Sequence, residues 1–256
     1  MQFKNTVTFA ELASAKVVGY STVDAPAAGN FKAFAVQFEN VGDTTEIPIP
    51  NLLANENPKG AANGNLTTPD KIWLWDTAAG DWVKYYYRKV GTAEAVGWCK
   101  LGETTVTTDT VKNGDTVFFY RGSGAVATTL TLAGGVRSFS AAATYDAPAA
   151  GNFKFIGYPW PVSMSIADFD SYQGAPKGAA NGNLTTPDKI WLWDTAAGDW
   201  VKYYYRKVGT AEAVGWCKLG ETTVTTDTIP AGEGFFFYRG SGAAADVITF
   251  TPPSAE

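Results

Sequence analysis

The chain has 256 residues, a formal net charge of −5, 9 Trp, 12 Tyr and 15 Phe, and no His. The lack of His excludes Ser-His-Asp and Cys-His catalysis and His-built metal sites. The acidic balance, with no Lys/Arg cluster, argues against a nucleic-acid partner, and no apolar run reaches the ~18 residues a membrane helix needs.

Charged residues make up only 18% of the chain, Thr, Gly and Ala are abundant, and apolar residues seldom recur at helical spacing. That balance favours strands and turns, and so an all-β fold with helix confined to short turns. The chain opens on MQFKNTVTF, which has no long apolar core. Low charge with internal repetition points to an extracellular or cell-surface location, so export would rest on a leader outside this sequence.

A repeat dominates the chain. Pro58 to Thr110 recurs letter for letter as Pro176 to Thr228, an offset of 118 residues, and DAPAAGNFK begins at Asp24 and again at Asp146, an offset of 122. Between these blocks the copies diverge, over 33–57 in the first and 155–175 in the second. The division is into a first β-repeat module, 1–134, with an N-terminal linking strand, and a second, 135–256. Each is a β-sandwich or a partly closed barrel. Identity that extends to solvent positions suits a polymer or lattice subunit, in which equivalent surfaces make equivalent contacts. The divergent segments are then the places that adapt each module to a different neighbour.

In chain order, Val7-Thr8-Phe9 is the first strand-like triplet, and Ala10 to Val17 is ambiguous. Ile72-Trp73-Leu74-Trp75 alternates aliphatic and aromatic residues, the run Asp76–Asp81 is turn-forming, and Trp82 to Arg88 is strand-like again, so the pair reads as a hairpin. Alternation places Trp82, Lys84, Tyr86 and Arg88 on one face with Trp73 and Trp75. Ile72, Leu74, Val83, Tyr85 and Tyr87 form the other face and supply a core. The second copy repeats the aromatic-cationic face as Trp191, Trp193, Trp200, Lys202, Tyr204 and Arg206. Trp98 to Leu101 and Thr104 to Val111 are further strands. Lys112-Asn113-Gly114-Asp115 reads as a hairpin turn before the apolar strand Val117 to Tyr120. Ser165 to Phe169 is the best helical candidate.

Leu130-Thr131-Leu132 ends the first module and Ile248-Thr249-Phe250 the second, with the offset of the long repeat. The junction strand can serve both modules. The terminal triplets, Val7-Thr8-Phe9 and Ile248-Thr249-Phe250, are then candidate assembly strands that complete a neighbouring chain's sheet.

The aromatic-cationic face has two readings: packing at a core or interface, with Lys and Arg stems laid over rings, or a stacking platform for glycans. Asp70, Asp76, Asp81 and Asp109 read as turn carboxylates. No cofactor is expected; weak Ca²⁺ binding stays open, although the spacing matches no known Ca²⁺ loop. Cys99 and Cys217 occupy equivalent positions. Modules related by translation would hold them too far apart to bridge, which leaves buried free thiols or an intermolecular bridge.

The order D-x-I-W-x-W, turn, W-x-x-Y-Y-Y, G-W, then D-T-[VI]-x-x-G-x-x-F-F runs from Asp70 to Phe119 and from Asp188 to Phe237. It resembles bacterial secreted proteins built from tandem β repeats at the cell surface, and that resemblance implies export and a surface or appendage role. The reading is a non-enzymatic structural subunit of an extracellular filament, sheath or surface layer. It self-assembles head to tail as a homopolymer through terminal-strand addition, without membrane insertion. The alternative is a carbohydrate-binding or adhesive module pair with glycan partners.

Overall fold

In the computed structural model the described residues are 18–40, 46–53, 58–62, 66–89, 96–125, 129–136, 142–172, 176–180, 185–207, 214–243 and 246–252. Val7-Thr8-Phe9 and the segment Ala10 to Val17 lie outside them. The first module contains β1 (Val18–Asp24), β2 (Phe31–Ala35), β3 (Phe38–Glu39), β4 (Glu46–Pro48), a single helical turn α1 (Ile49–Leu52), β5 (Lys71–Asp76), β6 (Asp81–Arg88), β7 (Gly97–Lys100), β8 (Thr110–Lys112), β9 (Thr116–Tyr120) and β10 (Thr129–Val136). The second contains β11 (Ala143–Asp146), β12 (Phe153–Gly157), β13 (Met164–Ser165), a 3₁₀ helix at Ile166–Tyr172, β14 (Lys189–Asp194), β15 (Asp199–Arg206), β16 (Gly215–Lys218), β17 (Thr228–Ile229), β18 (Gly234–Tyr238) and β19 (Val247–Phe250). The fold is all-β, made of antiparallel sheets, none of them closed into a barrel.

Each module is built on a five-stranded sheet, in the order β2-β9-β5-β6-β7 in the first and β12-β18-β14-β15-β16 in the second. The hairpin forms because Asp76 Oδ1 accepts the amides of Ala78 and Ala79 at 2.9 and 3.0 Å while Gly80, at φ +66°, takes the left-handed corner. This turn sets the register Trp75↔Trp82 and Trp73↔Lys84. Ile72, Tyr85, Val117 and Phe119 point inward from the sheet, with Leu74, Val83 and Tyr87 packed alongside. They meet Leu130 and Leu132 of β10, Phe38 of β3 and Val111 of β8, with Ile49 and Leu52 of α1 at the same core. The second module repeats this with Ile190, Tyr203, Phe235, Phe237, Ile248 and Phe250. In place of α1 it inserts Phe169 from its 3₁₀ helix, against Trp216, Phe235 and Phe237 with ring centroids 5.4–5.7 Å away.

Three sequence expectations change. The turn Lys112–Asp115 closes no hairpin: β8 pairs with β4, whereas β9 pairs with β2 and β5. Asp115 N donates to Lys112 O and Gly114 sits at φ +86°, so the turn carries the chain from one layer of the sandwich to the other. Val111 and Val117 therefore enter one core from opposite sides. The Thr-rich run from Thr104 forms a strand only at Thr110–Lys112, with an isolated bridge at Val106. The junction strand β10 pairs with β1 along its length and with β3 at its end, all within the first module.

Ile248, Thr249 and Phe250 pair with β11 in their own module, and Ile248 and Phe250 are fully buried. One edge of this candidate assembly strand is therefore occupied by β11. Donating it to another chain would withdraw two core side chains from the second module.

Candidate functional site

The two modules are not related by translation. A pseudo-two-fold axis turns the outer faces of their five-stranded sheets onto one another, giving four layers: small sheets outside, large sheets within. The reciprocal bonds define the axis. Trp75 Nε1 donates to Phe153 O at 3.2 Å and the equivalent Trp193 Nε1 to Phe31 O at 3.0 Å. Ala35 N donates to Gly232 O and the equivalent Gly157 N to Gly114 O, both at 2.8 Å. Between the sheets lies a cluster that belongs to both modules: Phe118 and Phe236 at its centre, the six Trp residues of the two faces around it, and Ala33 and Phe155.

The rings lock in perpendicular and stacked pairs. Phe118 meets Trp193 edge-on at 5.0 Å and stacks on Trp200 at 5.7 Å; Phe236 meets Trp75 at 5.1 Å and Trp82 at 5.6 Å. Such pairs add about 0.5–1.5 kcal/mol each beyond area burial. An aromatic crevice of about 380 Å³ runs along the seam, lined by Trp73, Trp75, Trp82, Trp191, Trp200 and Phe residues.

The aromatic-cationic face is divided rather than continuous. Trp75, Trp82, Trp193 and Trp200 lie in the seam, with Trp73 and Trp191 at its margin. Beyond them is a half-buried ledge: Lys84 Nζ sits 4.8 Å over the Trp73 ring and Lys71 Nζ 4.3 Å over Tyr120. The copy places Lys202 4.9 Å over Trp191 and Lys189 4.2 Å over Tyr238. There a shallow groove of about 190 Å³ is lined by Lys189, Trp191, Lys202, Tyr203, Tyr204 and Leu219. Burial pushes the Lys71 and Lys189 ammonium groups below the ordinary lysine range, and Lys84 adds to this at Lys71.

The far end of the face is closed. Tyr86 and Tyr204 are buried, and their hydroxyls donate to Glu103 O and Glu221 O at 2.8 Å. Arg88 and Arg206 are buried beside them and form isolated backbone bridges with Ala61 and Ala179. Cys99 pairs in register with Tyr86, and Cys217 with Tyr204. Both thiols are free and buried, and burial pushes them above the usual thiol range against the opposing pull of the arginines.

Two carboxylates prove to be more than turn residues. Asp70 is fully buried; it accepts Arg121 Nη1 at 2.8 Å and the amides of Gly122 and Lys59 at 2.7 and 2.8 Å. Asp188 repeats the arrangement with Arg239, Gly240 and Lys177. Burial raises both carboxyls, against the pull of those amides and of the arginine. The sequence signal for this anchor was the identical spacing of Pro-Asp and Arg-Gly-Ser-Gly in the two copies. Asp76 caps its own turn as described above, Asp81 Oδ1 accepts the Trp82 amide at 2.7 Å, and Asp109 accepts the Tyr85 hydroxyl at 2.6 Å.

Among the described residues no group of three or more His, Cys, Asp or Glu is placed to hold a metal ion, and no helix is long and apolar enough to cross a membrane. No protein-family model, curated protein or solved structure matches this chain.

Proposed function

We propose that the chain is a non-catalytic structural subunit of an extracellular assembly, with the docked module pair as its rigid building block. The observation that supports this most is the use of its most distinctive surface: the repeated Trp/Phe face is committed to holding one module against the other. A route for chain-to-chain growth remains at the small sheets. The outer edge of β1 pairs with no strand among the described residues, and Tyr20 on that strand is 78% exposed. An open edge of this kind accepts an added strand. Val7-Thr8-Phe9, the candidate donor, lies outside the described residues, so the donor is tested by deletion.

Electron microscopy of the purified protein, with and without residues 1–12, is the test. Ordered filaments or sheets are expected from the full chain and not from the deletion. Polymers that survive the deletion reject strand addition by Val7–Phe9. Monodisperse particles under every condition reject the structural-subunit reading itself.

A second reading, glycan binding, rests on the two Lys/Trp/Tyr ledges, which offer π surfaces beside hydrogen-bond donors and would act with avidity. Trp82 and Trp200 lie in the seam, so replacing them tests docking. A glycan array with Lys84→Ala/Lys202→Ala tests the ledges. Binding that is lost in this variant favours the reading, and no binding, or binding unchanged by it, removes it.

A further inference from the structure

At a pseudo-two-fold axis, equivalent residues face each other, so a duplicated interface can pair any module with any copy of itself. Here three equivalent pairs close to the axis differ between the copies. Thr116 and Gly234 are equivalent, and they touch: a methyl group built on Gly234 would overlap the Thr116 side chain. Ala35 and Gly157 are equivalent and also touch, with a methyl on Gly157 falling 2.7 Å from Ala35 Cβ. Neither glycine has a left-handed φ, so the backbone does not demand glycine at either place; the space does.

The third pair runs the other way. Phe155 stands where the first module has Ala33. Its ring lies against both members of two symmetry pairs: Trp82 at 5.5 Å and Trp200 at 6.2 Å, Phe118 at 6.2 Å and Phe236 at 4.4 Å. One phenyl ring therefore fills a space on the axis that both modules line, and Ala33 leaves that space open.

We propose that these three pairs make the seam heterotypic: the first module accepts the second module, of its own chain or of another copy, and neither accepts its like. Two first modules would set Thr116 against Thr116 and Ala35 against Ala35, and leave the Phe155 space empty. Two second modules would force two Phe155 rings into one space and leave gaps at the paired glycines. Overpacking and cavities are both destabilising. The inference deepens the structural-subunit reading: chains that exchanged modules would alternate first and second modules and run head to tail.

The test uses the full chain with a protease site placed between Val136 and Ala143, cut after folding, then unfolded and refolded as a mixture. Native mass spectrometry should show one species, a first half bound to a second half. Like-with-like dimers at comparable abundance overturn the proposal. Should the cut halves fail to refold, the uncut chain decides. Gly234→Thr should speed hydrogen exchange at the Trp193 indole N–H by roughly tenfold to a hundredfold, the range expected of overpacking. Thr116→Gly/Gly234→Thr, which swaps the pair, should restore most of the protection. No effect of the single change, or no rescue by the second, also overturns the proposal. Exclusive unlike pairing without any polymer by microscopy would leave the lock intact and remove the structural-subunit reading; polymers with like-with-like dimers would do the reverse.

Discussion

Replacing Phe118 with Ala removes a ring that meets three rings across the seam. Phe118 is 5% exposed and packs on Phe31, Trp73 and Trp82 of its own sheet and on Phe155, Trp193 and Trp200 of the other. A buried Phe→Ala change costs about 3–5 kcal/mol, a large share of the 5–15 kcal/mol that separates a typical folded domain from its unfolded state. Phe118→Leu keeps most of the volume and should cost about 1–1.5 kcal/mol. Phe34→Ala, in the inner core of the first module, serves as the contrast. Urea unfolding gives the stability, and exchange of the Trp75 and Trp193 indole N–H groups, which bond across the seam, reports docking. Phe118→Ala should release both indoles before the strand amides of the inner cores open. A loss below about 0.5 kcal/mol, the range of ordinary surface changes, with both indoles still protected would mean that Phe118 does not hold the seam.

Other outcomes follow from buried groups. Tyr85, Tyr86, Tyr203 and Tyr204 all have raised hydroxyl pKa values, chiefly through burial. The folded state therefore keeps protons that the unfolded state loses, and stability present below about pH 10 is lost as pH rises, by up to ~1.4 kcal/mol per pH unit for each tyrosine. Lys71, Lys154 and Lys189 are lowered by burial; they act with opposite sign, but only below about pH 10.4, where unfolded lysine titrates. Urea midpoints that stay level from pH 10.5 to 12 would contradict this. Asp70→Asn leaves Arg121 buried without its carboxylate and should cost about 3–5 kcal/mol; Asp188→Asn should cost the same, and the pair should add if the two anchors are independent. Calorimetry of the two single variants and the double checks both points. Cys99 and Cys217 should resist a thiol reagent in the native protein and react in denaturant; rapid labelling of the folded chain would speak against their burial.

How much was legible in the sequence depended on whether a signal was local. The hairpin from Ile72 to Arg88 was readable because its turn residues and its two-residue alternation agree. The division of side chains between two faces followed, and Ile72 and Tyr85 lie in the core with Leu74, Val83 and Tyr87 packed against it. What covers the aromatic face was not readable from alternation, because alternation says which side chains share a face and nothing about the opposing surface. The opposing surface is the same sequence again. The clue was in the differences between copies: Thr116 against Gly234 and Ala35 against Gly157 look like drift until the axis sets them in contact. The turn at Lys112–Asp115 misled for a related reason. Its residues encode the reversal, but whether the two flanking strands join one sheet or two is decided by β4 and β2, distant in sequence. An Asp in a run of turn-forming residues reads as a turn carboxylate, whereas the partner that fixes Asp70, Arg121, lies 51 residues away.

The two modules bury their aromatic faces in each other. A nuclear Overhauser spectrum of dilute protein tests it most directly, read between the Trp193 indole and the rings of Phe118 and Phe31, whose centroids lie 5.0 and 6.3 Å away. Cross-peaks to both rings, matched by the reciprocal set from Trp75 to Phe236, are the result the seam requires. Well-dispersed spectra of folded modules in which neither set appears would contradict it.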